Sequence, residues 1–374
     1  MLASAGAGYV GLGAVGALLL AATLVDVMLT IFNYDGFTFV ARRFHRGYWT
    51  VLHAAVKVVP QRLRHTALSL GSSAMLPATV ALWLGLEVAA FAFMFEPGLH
   101  ERRFALKDAQ PTIGTAFYLS GGDISSLTFG DVTATDGLDR ALADLETIVG
   151  LATFTLALGY VVTTFDALGS LEKLHGRVRR HAEEQQRPSS IIARHFRGGN
   201  PTDLPSFLQA LGDDLEEYDS GLRRYPVVYY FHTRRTHRSI PHVFAALGDL
   251  LMLLRWGLPA SEPITQDPFL HALSTGYLTT LERLRKNFVG PKPIDLPEPI
   301  SRETFVRRAD TSVVEFERLE ERARSAAGVT DGDDDAARYE RYAEWLPFAA
   351  RHRVVLDRVA DRLGYERPSE NESV

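Results

Sequence analysis

The sequence contains no cysteine, which excludes disulfides, thiolate metal sites and cysteine nucleophiles. It has no nucleophile elbow, no P-loop and no HExxH pattern, so the chain reads as a non-enzyme. It has no surplus of positive charge. The formal net charge is −5, which gives no case for nucleic acid as a partner. No basic residue precedes the first apolar run, and that run is too long for the core of a secretory signal. No apolar run carries a ladder of arginines, so voltage sensing is disfavoured. No alternation of strand and helix patterns follows the apolar half, so a doubly wound nucleotide-binding domain is not expected.

What is present is long hydrophobic runs, concentrated before about residue 170 of the 374. Residues 8–32 form a run of roughly 25 with Asp26 as the single charge, long enough to cross the ~30 Å hydrocarbon core with some tilt. Gly11, Gly13 and Gly16 in it make a formal GxGxxG. That pattern signals dinucleotide binding only after a strand in a βαβ unit. Inside an apolar run it reads as small residues permitting close helix packing.

Residues 37–65 mix aromatic and aliphatic residues with Arg42, Arg43, Arg46, Lys57, Arg62 and Arg64, a pattern suited to an amphipathic helix in the membrane interface. The same basic residues place this loop inside, and hence the N-terminus outside. A second span over 72–95 then runs outward with Glu87 near its middle. Pro77 would fall in its first turns, where proline disrupts least. The polar stretch 96–114 is external. A third span runs inward from near Leu138 to about Leu168, and Lys173, Arg177, Arg179 and Arg180 mark its exit. The expectation is a multi-pass protein of the cell membrane with its C-terminal part in the cytoplasm.

Residues 181–202 read as a polar linker. A mainly helical soluble domain follows, with helical periodicity over 203–217, 241–257, 267–289, 301–324 and 335–364. Ser301 is placed to cap a helix with Glu303 in its first turn, and 290–300 is a proline-rich connector. Residues 225–231 (YPVVYYF) are a candidate strand. The organisation expected is therefore an N-terminal transmembrane helix (1–36), an interfacial segment (37–71), a membrane domain (72–170), a linker (171–202) and a helical cytoplasmic domain (203–374).

Between the second and third spans lies TAFYLSGGDISSLTFGDV, residues 115–132. It is too polar to cross a bilayer, yet it sits between two runs that can. Non-helical backbone at membrane depth is tolerated only where it is buried in protein or lines a water-filled path. The segment therefore reads as a re-entrant loop, the other reading being a buried turn.

The segment resembles the pore helix and selectivity filter of the potassium-channel superfamily, whose common form is Thr-Thr-Val-Gly-Tyr-Gly-Asp. Here the corresponding residues are Ser125, Ser126, Leu127, Thr128, Phe129, Gly130 and Asp131. Gly130 and Asp131 match outright. The serines keep the hydroxyls, Leu127 an aliphatic side chain and Phe129 an aromatic ring. Thr128 stands where the family has its first glycine. The likeness covers roughly residues 72–170, with Glu146 and Gly150 on the inner helix, and is similar to the bacterial two-transmembrane type with an extra N-terminal span. It implies an all-α membrane protein of three transmembrane helices and one re-entrant pore helix, assembled as a homotetramer in the lipid bilayer. It implies no cofactor, only permeant monovalent cations such as potassium or sodium.

Such filters replace an ion's hydration shell with rings of backbone carbonyls. Aiming successive carbonyls at one axis needs conformations that glycine reaches easily and β-branched residues reach poorly. Gly130 meets that demand and Thr128 does not, so a cation pore is a firmer expectation than a potassium-selective one. A non-conducting sensor or scaffold that keeps the channel architecture is the alternative.

Asp123 in the pore helix either supports the filter and adds negative field or offsets a helix break at Gly121 and Gly122. Asp131 either attracts cations at the mouth or braces the loop. Glu146 stands where the resemblance implies a supporting acid. Gly150 and Gly159 read as inner-helix hinges or as packing glycines, and Thr155, Thr163 and Thr164 as cavity lining. Asp26 and Glu87, as intramembrane carboxylates, serve either ion or proton sensing or interhelical hydrogen bonding. In the polar half, His232, His237 and His242 lie among arginines, which argues against a metal site. Asp331, Asp333, Asp334 and Asp335 lack calcium-loop spacing and read as a solvated helix start.

Overall fold

Hydropathy and helix propensity together produce three helices long and apolar enough to cross a membrane, over Gly11–Phe32, Gln61–His100 and Gly137–His181. The computed structural model describes residues 2–33, 38–107, 109–127, 129–181, 187–196, 203–290, 292–308, 310–330 and 332–368, with side chains from residue 11 onward. The elements in chain order are α1 (Leu2–Phe32), α2 (Val40–Val56), α3 (Gln61–His100), β1 (Phe104–Leu106), α4 (Ile113–Ile124), β2 (Val132–Ala134) and α5 (Gly137–His181). There follow α6 (Pro188–His195), α7 (Leu204–Arg224), α8 (Ile240–Met252), α9 (Pro268–Phe288), α10 (Arg302–Val306), α11 (Thr311–Ala327) and α12 (Asp335–Leu363). Two units emerge: Met1–Asp166 with Leu222–Phe231, and Ala167–Gly221 with His232–Val374.

In the first unit α3 starts at Gln61, earlier than the apolar run suggests. Its first turns are rich in leucine, arginine and alanine, which favour helix whatever their polarity. Forty residues give a helix of about 60 Å, twice the hydrocarbon thickness. Pro77 consequently lies inside the helix, not in its opening turns. Proline is tolerated within apolar helices because neighbouring groups re-satisfy the freed carbonyl.

Helix α1 packs closely on α3 at Gly16, where an added Cβ would lie 2.5 Å from the Ala90 carbonyl oxygen and 2.9 Å from Met94 Cγ. Of the formal GxGxxG, Gly16 carries this close approach; Gly11 faces open space and Gly13 only touches Pro97 at 3.8 Å.

The core of the first unit joins Phe91, Phe95 and Leu99 of α3 to Phe104, Ala116, Leu119 and Val132. Phe104 and Val132 come from a feature absent from the all-helical expectation. Strands β1 and β2 pair antiparallel with Phe104 opposite Ala134 and Leu106 opposite Val132. This ribbon clips together the two ends of the excursion that carries α4.

Residues 225–231 are not a strand. Pro226–Tyr230 form a 3-10 turn, since proline at the first position fixes φ and removes a donor. Both described strands already pair with each other. Tyr230 packs on Trp49, with ring centroids 5.9 Å apart, and Tyr225 on Tyr160, also at 5.9 Å, which places the turn in the first unit.

The second unit begins at Ala167, so the expected linker is largely helical: α5 continues to His181 and α6 covers Pro188–His195. The residues after 170 are polar, but leucine, glutamate, lysine and arginine are good helix formers. Their charges are matched within the unit. Asp214 of α7, 1% exposed, pairs with Arg177 and lies 3.4 Å from Lys173.

Ser301 caps α10 by accepting from the Thr304 amide at 3.3 Å. Asp334 caps α12 by accepting from Ala337 N at 2.9 Å. Asp333 is ion-paired to Arg341 at 2.8 Å, while Asp331 lies outside the described residues. The three histidines of 232–242 do not converge. His232 faces the Leu363 carbonyl at 3.0 Å, His242 faces Ser239 Oγ at 2.9 Å, and the His237 ring lies 5.5 Å from that of His175.

Two other histidines are buried. Burial pushes His45 down to about 4 and His352 down to about 4. Both are therefore neutral in the folded protein at pH 7, whereas the unfolded chain gains a proton on each near 6.5. Depressed folded values mean that stability is fully present above pH 6.5 and is lost as the pH falls toward 4, with roughly one proton per histidine taken up on unfolding. Thermal unfolding in detergent is expected to show this acid loss, and His352→Gln is expected to lessen it, since His45 and His175, also held down to about 4, remain. An equally steep loss in a His45→Gln, His352→Gln double variant would refute the assignment.

Candidate functional site

The segment expected to be functional is built on α4. Thr112 caps its start by accepting from Thr115 N at 3.3 Å. No break occurs at Gly121 and Gly122; the helix runs through them to Ile124. Its end is closed by paired backbone bonds, Ser126 N to Asp123 O at 3.0 Å and Leu127 N to Gly122 O at 2.9 Å. This is the Schellman closure, which needs one left-handed residue just past the helix. Ser126 supplies it, with φ +58°. Ser125 turns its hydroxyl back on the Gly121 carbonyl at 2.6 Å. The two serines are thus the C-terminal cap of α4, and the negative end of that helix dipole opens onto residues 125–131.

Thr128 lies outside the described residues. Beyond it, Phe129 folds back on α4 and stacks on Tyr118, with centroids 4.8 Å apart at 14°. Gly122 makes room for it, since a Cβ there would meet Phe129 Cδ2 at 2.6 Å. The Tyr118 hydroxyl donates to Asp131 Oδ1 at 3.3 Å, and the Asp131 carbonyl accepts from Lys107 N at 2.8 Å. Asp131 therefore braces the loop. Ser125, Ser126, Leu127, Phe129 and Gly130 are all exposed in the single chain, Leu127 by 64%.

Behind the segment three helices are tied by carboxylates and hydroxyls. Glu87 of α3 accepts from Thr153 of α5 at 2.7 Å. Glu146 of α5 is bonded to Ser120 of α4, whose hydroxyl also lies 3.0 Å from the Val88 carbonyl of α3. Asp123 is buried, and its carbonyl accepts from Thr147 Oγ1 at 3.1 Å. Among the described residues Glu87 Oε2, Asp123 Oδ2 and Glu146 Oε2 have no hydrogen-bond partner.

Asp26 lies apart from this group. It accepts from the amides of Phe39, Val40 and Ala41 and from the Trp83 indole, so it caps α2 from another helix.

The two α5 glycines differ. A Cβ on Gly150 would lie 2.4 Å from Ile124 Cγ1 and 2.9 Å from its carbonyl oxygen, whereas one on Gly159 meets nothing within 4 Å. Thr155 and Thr163 are exposed on α5, while Thr164 is buried with its hydroxyl on the Tyr160 carbonyl.

Sequence reasoning overlooked Tyr118, Ser120, Thr147 and Thr153. Their partners lie 13, 26, 24 and 66 residues away, and no periodicity reports such pairs. The double glycine was the one available signal of a close approach.

No family model and no solved structure matches the chain. It is similar to the uncharacterized membrane protein YdjJ of Bacillus subtilis (strain 168), 21% identical over 234 residues, which cover 62% of this chain and 67% of that protein. With the three apolar helices, this likeness marks the chain as a membrane protein.

Proposed function

We propose that the chain is the pore-forming subunit of a tetrameric cation channel, with residues 125–131 as its filter, α4 as a re-entrant pore helix and α5 as the inner helix. The observation that carries the reading is the exposure of residues 125–127, 129 and 130 between two helices long enough to span. Irregular backbone in that setting must line a water path or meet further copies of the chain. A buried turn would not leave it exposed.

Three further features support the reading. The negative end of α4 faces the segment and favours cations there. The Tyr118, Phe129 and Asp131 contacts and the β ribbon hold its ends. Along α5, Leu145, Ile148, Leu151, Phe154, Leu158, Val162 and Phe165 form an exposed apolar stripe, the face a helix turns to lipid or to neighbouring subunits. In this reading the N-terminus is outside and the second unit is cytoplasmic, following the basic residues.

The test is flux through purified protein in liposomes under a potassium gradient, then a sodium gradient. Both ions are expected to pass, and Thr128→Gly is expected to raise the potassium-to-sodium ratio severalfold by restoring a glycine-dependent carbonyl ring. Absence of flux at every pH and calcium level, in both proteins, would leave the non-conducting sensor or scaffold as the better reading.

A further inference from the structure

Helix α2 has two faces of different chemistry. Ala41, His45, Trp49 and Val56 are buried, while Arg42, Arg43 and Arg46 are exposed on the other side. An open groove of about 840 Å³ runs along that side, lined by Thr38, the three arginines, Phe39 and Val51. Phe39 is 48% exposed and Val51 69%.

The positive charge in this groove is not balanced locally. Residues 36–86 contain six arginines and lysines and no aspartate or glutamate. Among the described residues neither Arg43 nor Arg46 forms an ion pair. Arg43 donates to the Phe39 carbonyl at 3.1 Å, a partner without charge, and the Arg46 carbonyl accepts from Thr50 Oγ1 at 2.8 Å. Arg42 has a contact of its own, so the charges that a ligand would meet are those of Arg43 and Arg46. Asp26 does not line the groove, and its oxygens are held by four N–H donors.

Thr38 supplies an independent sign of a ligand. It is 7% exposed, and its Oγ1 has no hydrogen-bond partner among the described residues. A buried hydroxyl left unpaired is costly, and an anion in the groove would accept from it. Guanidinium forks match phosphate oxygens two at a time.

The depth of the groove selects the source of that phosphate. His45 Nε2 meets Thr79 Oγ1 at 2.9 Å, and the Tyr48 hydroxyl donates to the Gly71 carbonyl at 3.0 Å. Thr79 is the fourth residue of the apolar run Leu76–Phe95, about the length that fills a hydrocarbon core. On that register α2 lies at the boundary between hydrocarbon and headgroups. Phe39 and Val51 beside the arginines suit acyl chains, whereas a free phosphate would leave both in water.

We infer that this groove binds the headgroup phosphate of an anionic phospholipid, held by Arg43, Arg46 and the Thr38 hydroxyl with its chains along Phe39 and Val51. The site lies within the first unit, and binding there is independent of whether the chain conducts.

The test uses the purified full chain in detergent, titrated with dioleoyl phosphatidylglycerol, dioleoyl phosphatidylcholine or inorganic phosphate. Native mass spectrometry reads the lipid retained, and the unfolding temperature reads stabilisation. Phosphatidylglycerol is expected to be retained and to raise the unfolding temperature in a saturable way. Phosphatidylcholine, which carries no net charge, is expected to bind at least about tenfold more weakly. Inorganic phosphate at about 10 mM is expected to give no shift.

An Arg43→Gln, Arg46→Gln double variant is expected to lose the preference for the anionic lipid. Thr38→Val keeps the shape without the hydroxyl and is expected to weaken binding severalfold. Lys57→Gln with Arg62→Gln removes equal charge elsewhere in the acid-free stretch and is expected to keep the preference. Equal binding of the two lipids, a phosphate effect as large as that of phosphatidylglycerol, or equal loss in both double variants would overturn the proposal. A change of oligomeric state in the Arg43, Arg46 variant without lipid would assign the face to a second copy of the chain and overturn it as well. The lipid comparison changes the ligand and not the protein, so it decides the matter even if a variant fails to fold.

Discussion

Replacing Asp26 by alanine is expected to lower the unfolding temperature more than any other single substitution in the first unit. The carboxylate is 1% exposed. Its Oδ1 accepts from Phe39 N at 2.9 Å and Val40 N at 2.8 Å, and its Oδ2 accepts from Ala41 N and Trp83 Nε1, each at 3.1 Å. Alanine would strand these donors, of which the Ala41 amide and the Trp83 indole are in buried bonds and the other two in part-buried ones. A stranded buried donor costs about 1–3 kcal/mol, so the sum is several kcal/mol, a large part of the whole stability of an ordinary domain. The lost anion also sat at the positive end of α2, adding a further dipole contribution.

Asp26→Asn is expected to be intermediate. It keeps one acceptor but turns an NH₂ group toward two donors. Monodisperse yield and unfolding temperature in detergent read both variants. An Asp26→Ala protein as stable as the parent would show that the carboxylate serves something other than this cap.

The second large effect concerns Gly150. A valine there would place Cβ 2.4 Å from Ile124 Cγ1 and 2.9 Å from the Ile124 carbonyl. The side chain can rotate away, but the backbone oxygen cannot without moving the end of α4. Overpacking of this kind costs about 1–3 kcal/mol. Because Ile124 is the last residue of α4 and Ser125 its cap, the displacement is carried directly into residues 125–131. Gly150→Val is therefore expected to destabilise the first unit and, on the channel reading, to abolish flux.

Gly159→Ala is the matched control. The site has open space, and alanine favours helix over glycine by about 0.5–1 kcal/mol. It is expected to fold at least as well as the parent. A change in its flux without loss of stability would mark Gly159 as a hinge. Equal damage from both substitutions would contradict the packing account of Gly150.

Much of the architecture was legible from local signals. Hydropathy located the three helices long and apolar enough to span, and the mixture of arginines with aromatics located α2. Serine and aspartate before periodic runs located the starts of α10 and α12. Local reading misled where polarity was taken for irregularity: residues 171–181 are rich in good helix formers, and Lys173 among them meets Asp214 and Glu217 on α7. It also misled at 225–231, where Pro226 set a 3-10 turn in spite of the β-favouring residues that follow.

The candidate site was legible as a segment and not as a geometry. That residues 115–132 are too polar to cross a bilayer follows from their composition, and a short helix at their start was what the resemblance implied. That Ser125 and Ser126 close the helix, and that Phe129 returns to Tyr118 across Gly122, depends on pairs the sequence does not mark.

By itself the sequence determined which helices are long and apolar enough to cross a membrane and where polar residues interrupt the apolar half, because hydropathy and helix propensity act over a few turns. The tertiary structure alone decided what Asp26 caps, that Gly16, Gly122 and Gly150 sit against close neighbours, that a two-stranded ribbon clips the α4 excursion, and that Asp249, Arg322 and His352 line one cavity. These depend on contacts between residues far apart in the chain, where distance and burial, not residue type, fix the energy.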